Sequence, residues 1–252
     1  VDKEILFPYS YPYTSSTTKV LRENFKNLYQ DVSNKINLEK EDLIIDIGSN
    51  DGNLLSNFKD NHRVLGVTPE KIGKLAIKKG IPTILNYFEK KISKQIIKKY
   101  GKAKIITATN VFAHIDDINN IIKLIKNTLK KDGIFISESH YLLPLIKTVQ
   151  YDTIYHEHLR YYSLKSLNYL FKKHGLEIID TKEINTHGGS IRVYACRKGC
   201  YSISKNVKKQ FLKEDKYLTK KQFNIFRDKV INSKLNLFNL IKKIKEKKYK
   251  IY

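Results

Sequence analysis

Apolar and polar positions follow two rhythms along this chain. Over 17–36 apolar residues recur at helical spacing (Val20, Leu21, Phe25, Leu28, Tyr29, Val32) behind Ser/Thr residues suited to a cap, which predicts a first helix. The preceding 1–16, rich in Tyr and Pro, reads as an extended segment. Short apolar runs then take turns with helical patterns. "DLIIDIG" (42–48), "RVLGV" (63–67), "AKIITAT" (103–109) and "GIFISES" (133–139) read as strands, with a shorter one at 82–85. Helices are expected over 50–59, 69–79, 88–100 and 116–131, with Pro69 opening the second and Gly80 closing it. Strands separated by helices of this length imply right-handed βαβ units and a parallel, doubly wound sheet. Beyond 163 the rhythm changes. A helix over 163–174, closed by Gly175, is followed by strands at 176–184 and 190–198 joined only through "NTHGG". Residues 201–252 are Lys-rich and helical, with apolar positions at Phe223, Phe226, Val230, Leu235, Leu237 and Ile241.

Five parallel strands closed by an antiparallel hairpin is the ordering of the class I methyltransferases, a Rossmann-like seven-stranded α/β sheet. Three parts follow: an N-terminal segment and helix (1–37), the methyltransferase domain (38–200) and a Lys-rich helical extension (201–252). The extension reads as an amphipathic appendage that packs on the domain or on a partner, a second copy in a homo-oligomer included.

Composition narrows the classes. At 252 residues the chain can bury a sizeable core, and 41% hydrophobic with 11% aromatic residues excludes disorder. Runs such as "LIIDI" and "GIFI" are too short to span a membrane, and no secretory signal opens the chain. Cys196 and Cys200 cannot make a disulfide framework and lack the further ligands of a zinc site, so no metal is expected and a reduced cytoplasmic setting is the simplest reading. Forty-eight Lys and Arg against 25 Asp and Glu give a formal charge of +23. Such an excess can mark nucleic acid, a membrane surface or an anionic small substrate. The lysines are spread over most expected helices rather than gathered in a stripe, which favours a solvated basic surface over a nucleic-acid footprint. The absence of methionine is consistent with a piece of a longer product.

The chemistry-bearing motifs fall at strand ends, where open α/β sheets bind ligands. "DIGSNDGNL" (46–54) ends the first strand and opens the next helical stretch. Its D-x-G-x-x-x-G spacing differs from the dinucleotide fingerprint and looks like an S-adenosylmethionine loop. Asp46 would order the loop and meet the amino-acid end of the cofactor, and Gly48, Ser49, Asn50, Asp51 and Gly52 would bring backbone close to it. The second strand ends in "LGVTPE", with Thr68 where a ribose-binding carboxylate is usual and Glu70 two residues on. After the fourth strand, Asn110, Val111, Phe112 and Ala113 would line the sulfonium and adenosine region, with His114 projecting toward the acceptor. "YDTIYHEHLRYYSL" (151–164) follows the fifth strand and hangs over the same edge.

Taken in order over residues 5–197, "YPYTSSTT", "DIGSNDGNLL", "NVFAHIDD", "ESHYLL", "QYDTIYHEHLRYYSL" and "THGGSIRVYA" resemble the sugar methyltransferases typified by the C-methyltransferases of deoxysugar biosynthesis. The resemblance implies methyl transfer from S-adenosylmethionine to a nucleotide-linked sugar. It puts acid/base groups on Tyr155, Glu157 and His158, with His114 nearby, and has Tyr11 or Tyr13 close over the site. The family's Cys-bearing zinc module has no counterpart here, and its C-terminal α/β domain would begin near residue 252.

Methyl transfer from a sulfonium is an in-line displacement by an already activated donor, so the protein must align the acceptor and remove its proton. A positioned general base is typically worth about 10²–10⁴-fold, and histidine suits neutral pH. His158 is the expected base, with Glu157 orienting it or binding a sugar hydroxyl and Tyr155 donating to an oxyanion or carbonyl. His156 points the other way by alternation. Arg160 is a candidate for a phosphate or carboxylate, and His187 for the rim. C-methylation of a keto sugar and O-methylation of a hydroxyl, for example in a capsule polysaccharide precursor, need the same base and donor. An RNA or protein methyltransferase and a non-catalytic module of this fold are the competing readings.

Overall fold

The computed structural model describes Ile5, residues 8–10 and residues 13–250. A 3-10 turn, Ser15–Thr17, leads into α1 (Lys19–Lys35). Strands β1 (Leu43–Ile47), β2 (Arg63–Val67), β3 (Thr83–Ile84), β4 (Ala103–Thr109) and β5 (Leu129–His140) follow. Between them lie α2 (Gly73–Lys78) after β2, α3 (Lys90–Tyr100) after β3 and α4 (Ile118–Thr128) after β4. The remaining elements are α5 (Leu142–Thr148), α6 (Leu164–Lys173), β6 (Leu176–Ile184), β7 (Ser190–Arg197), α7 (Lys205–Tyr217) and α8 (Lys220–Glu246).

The seven strands run in the order β3-β2-β1-β4-β5-β7-β6. β1 to β5 are mutually parallel, and β7 enters antiparallel between β5 and β6. This is the class I methyltransferase sheet. Strand order reverses between β1 and β4, so their carboxyl ends flank the crevice where such sheets take ligands. β1 is buried along its whole length, and its side chains alternate between two cores. Leu43, Ile45 and Ile47 join one with Phe112, Phe135 and Phe171, while Ile44 joins the other with Phe25, Leu28 and Val32 of α1.

α1 is held to the sheet by more than apolar contact. Asn24 donates to Glu138 of β5 at 2.7 Å, and Arg192 of β7 donates to Glu138 at 2.8 Å and to the Asn24 side-chain oxygen at 2.7 Å. Glu138 and Arg192 are fully buried, so their charges survive only as a mutually hydrogen-bonded set. On the other face of the sheet, buried Glu214 of α7 accepts from the Tyr141 hydroxyl at 2.9 Å and from the first backbone N–H groups of α6. A carboxylate there serves orphan donors and complements the helix dipole.

Several expected elements are shorter than their pattern. The stretch 50–59 makes only a 3-10 turn, Leu55–Asn57. The Gly52 carbonyl takes both Ser56 N–H and Oγ, but Asn57 N–H and Phe58 N–H bond only three residues back, to Leu54 and Leu55, so the segment closes as a 3-10 turn instead of an α-helix. α4 stops at Thr128 because Leu129 already pairs with Ala103 and starts β5. Residues 142–148, given no element by their pattern, form α5 with Pro144 inside its first turn, where a missing N–H costs nothing. Thr18 precedes α1 without a side-chain cap, and Val20 on the expected apolar face is exposed while Asn24 is buried. α8 buries none of its residues, and Phe223, Leu235, Leu237 and Ile241 stand exposed.

Candidate active site

A cavity of about 930 Å³ opens at the carboxyl ends of β1, β4 and β5, at the upper end of the range for small-molecule sites, about 300–1,000 Å³. Its donor side is the turn after β1. Gly48 sits at φ 75° with Val111 pressed against it, and a Cβ there would lie 2.3 Å from Val111 Cγ2. Only glycine lets these two strand ends meet. Asp46 lines the cavity while almost fully buried, and accepts from Thr107 Oγ1 at 2.6 Å. Burial drives its carboxyl up to about 7 against the pull of that hydroxyl. A buried carboxyl with one neutral donor lacks a cation, and the ammonium of S-adenosylmethionine's methionine end would supply it. Ser49 and Ser139 also line the cavity, and their buried hydroxyls have no hydrogen-bond partner. These groups fit a zwitterionic nucleoside donor.

The rest of the donor side partly reassigns the expected contacts. Thr68 is buried behind the wall and donates to Glu70, and it is Glu70 that lines the cavity. The carboxylate usual at the end of β2 is therefore present, displaced by two residues. Asp51 and Gly52 face away from the cavity. Asp51 is buried against Ser15 (2.7 Å) and Lys79 (2.9 Å); burial raises its pKa, but hydrogen bonds from Lys79, Ser16 and Ser15 outweigh that and hold it low. A Cβ on Gly52 would lie 2.7 Å from Ile81 and 2.9 Å from Ala76, so this glycine serves close packing. Phe112 is likewise in the core, its ring 5.4 Å from Phe135 and 6.2 Å from Phe171, whereas Asn110, Val111 and Ala113 do line the cavity. Asn50 lines it at φ 51° while its amide binds the leading segment: it donates to the Tyr13 carbonyl and accepts from Ser15 N–H, both at 2.9 Å. Tyr13 stands on the wall, its hydroxyl pKa raised by burial and then by Asp51. Tyr11 lies outside the described residues.

On the acceptor side four imidazoles meet: His114, His140, His158 and His187. The His158 ring lies 5.2 Å from His114, 6.1 Å from His140 and 4.5 Å from the half-exposed Tyr155. His158 Nδ1 donates to the Thr153 carbonyl at 2.9 Å, and His114 Nδ1 to the Glu157 carbonyl at 2.6 Å. A carbonyl only accepts, so both neutral rings carry their proton on Nδ1, which for His158 leaves Nε2 the basic nitrogen. Burial pushes the pKa of His114, His140 and His187 down, and the neighbouring His158 adds to the shift in each. The Tyr155 hydroxyl is pushed up by burial and by Glu157.

Two expected roles change. Of the two roles expected for Glu157, orienting His158 falls to the Thr153 carbonyl, while Glu157 holds His114 through its backbone carbonyl and lines the cavity, which leaves the sugar-hydroxyl role. Arg160 donates to the carbonyls of Ile115 and Asp116 (2.7 Å for the latter), so its guanidinium ties the acceptor loop to the segment between β4 and α4 and is off the cavity wall. His156 is exposed and off the wall, as alternation had it. Sequence reasoning passed over His140, the last residue of β5, and over Leu21 and Phe25, which bring α1 into the wall. The signal for His140 was its place at a strand end inside "ESHYLL".

Comparison with known proteins agrees with this geometry. Residues 19–181 match a family described as a methyltransferase domain, and residues 185–252 match a C-methyltransferase C-terminal domain. The second match starts within the hairpin, not near 252 as expected. C-methyltransferase NovU from Streptomyces niveus is 35% identical over 197 residues, 77% of this chain and 47% of that protein, so the chain spans about half the length of this relative. Among solved structures, magnesium protoporphyrin IX methyltransferase from Synechocystis PCC 6803 with bound S-adenosylhomocysteine superposes with TM-score 0.54 at 14% identity, over 70% of this chain and 83% of that one. An S-adenosylmethionine-dependent methyltransferase from Clostridium acetobutylicum gives 0.52 at 17%, over 73% and 94%. These two share the fold. The sequence relative and the two domain matches place this chain among the S-adenosylmethionine-dependent methyltransferases, in the C-methyltransferase family to which its own motifs point.

Proposed function

We propose that the protein methylates a carbon beside the keto group of a nucleotide-activated sugar, in the cytoplasm, on the way to a polysaccharide or glycoconjugate. The observation that carries this reading is the meeting of four of the chain's seven histidines on one wall, across from the turn that bears Asp46 and Gly48. S-adenosylmethionine supplies the electrophilic methyl group. Asp46 and Glu70 hold its ammonium and ribose hydroxyls. His158 Nε2 takes the proton from the carbon next to the carbonyl, and the ring keeps its orientation through Nδ1 and Thr153. The Tyr155 hydroxyl, with its pKa raised, stays protonated and donates to the developing enolate oxygen. His114, neutral by burial, flanks the base without competing for charge. The C-methyltransferase relative supports carbon over oxygen as the acceptor atom.

The test uses a panel of nucleotide-linked keto sugars and their hydroxyl counterparts. With S-adenosylmethionine, mass spectrometry should find a methyl added to a keto sugar. In D₂O with S-adenosylhomocysteine, the same sugar should exchange its α-proton without methylation. Methylation of hydroxyl sugars without any exchange would assign the enzyme to oxygen instead.

A further inference from the structure

Gln150 lies off the cavity wall, yet three loops of the acceptor side converge on it. Its side-chain oxygen is 3.1 Å from His140 Nε2 at the end of β5. Its amide donates to the Gly188 carbonyl in the hairpin turn at 2.7 Å and to Thr148 Oγ1 at the end of α5. With both amide protons committed, the oxygen must face His140, and His140 Nε2 must be the donor. The Gln150 carbonyl in turn accepts from Thr153 Oγ1 at 2.8 Å and Thr153 N–H at 3.3 Å. That closes the turn whose Thr153 carbonyl receives His158 Nδ1 and the Tyr161 hydroxyl, each at 2.9 Å. The fit is tight: a Cβ on Gly188 would lie 2.3 Å from Gln150 Oε1. The preceding Val149 is held at φ 59°, a conformation a β-branched residue adopts only where its surroundings impose it.

We propose that Gln150 is a positioning residue that sets the tautomer and placement of the base. Its side chain clamps β5, α5 and the hairpin turn together, and its backbone aims the Thr153 carbonyl at His158. The inference rests on the reading of His158 as base, but its first readout needs no substrate. Nitrogen NMR on the full chain carrying ¹⁵N-histidine, with the His158 signal assigned from His158→Gln, reports the ring tautomer directly. In the wild type the neutral His158 ring should carry its proton on Nδ1. In Gln150→Ala the other tautomer should become populated. α-Proton exchange should fall about 10²-fold, the scale of a ~1 Å misplacement, with S-adenosylhomocysteine affinity within twofold.

Gln150→Glu keeps the size and the acceptor for His140 but loses both donors, so it should show the same tautomer change in a folded protein. An unchanged His158 tautomer in both variants would overturn the proposal. So would a parallel fall in exchange, cofactor affinity and melting temperature, which marks a structural residue. If the wild type exchanges no proton of any sugar, the function reading fails separately, and the tautomer result still decides the role of Gln150.

Discussion

Asp46 concentrates the residue-scale chemistry. Its pKa rises from 3.8 unfolded to about 7 folded, so between those values the native state holds a proton that the unfolded chain has released. Stability without cofactor therefore falls as pH rises through that window and stays low above it. Asp46→Asn retains an acceptor for Thr107 and removes the buried charge. Thermal unfolding should show it raising the melting temperature at pH 8 and changing it little at pH 4. Cofactor binding runs the other way: wild-type affinity for S-adenosylhomocysteine should weaken as pH drops below about 7, and calorimetry on Asp46→Asn should find weaker binding with that dependence gone. A variant that binds as the wild type does would remove Asp46 from the site. His158→Ala should nearly abolish turnover while cofactor affinity stays within a few-fold; equal loss of both would make His158 structural. Asp46, Gly48 and His158 were legible because turn chemistry and titratable type at a strand end point to a site. Phe112, Asp51 and Arg160 were misread because sequence places a residue near an edge without saying which way its side chain turns.

Elements were legible where hydrophobic period and length agree, as in all seven strands and in α3 and α6. They were misplaced where strand pairing decides the boundary, as at Leu129, whose pairing with Ala103 ends α4 and starts β5 inside the expected helix. Nothing in the pattern announced the buried junction of α1, β5 and β7, since Asn24, Glu138 and Arg192 come from three distant stretches. Removing one member of a buried ion pair costs about 3–5 kcal/mol, whereas replacing both by apolar groups is often nearly neutral. Arg192→Leu should accordingly lose about 3–5 kcal/mol in urea unfolding, and Arg192→Leu with Glu138→Leu should regain a large part of it. A double variant no better than the single one would mean that the cost of Arg192→Leu does not come from leaving Glu138 unpaired. Because α1 carries Leu21 and Phe25 into the cavity wall, Arg192→Leu should also raise the acceptor KM.

For the whole molecule, the informative contrast is between surface and cavity. The chain carries a formal charge of +23, yet the cavity wall holds Asp46, Glu70, Glu89, Asp116, Asp117 and Glu157, and no Lys or Arg among the described residues that line it. An acidic interior draws in a sulfonium and an ammonium and repels phosphate, so a nucleotide sugar would present its sugar to the histidines and leave its diphosphate at the mouth. The basic surface can still attract polyanions, in a contact that weakens steeply with salt, without leading them to the methyl group. Two ligands should therefore bind independently of each other. Calorimetry should give a nucleoside diphosphate the same affinity with and without saturating S-adenosylhomocysteine, and heparin should leave cofactor affinity unchanged. If either anion displaced the cofactor competitively, phosphate would be entering the cavity, and the sugar-first orientation would be lost along with the acidic wall as its cause.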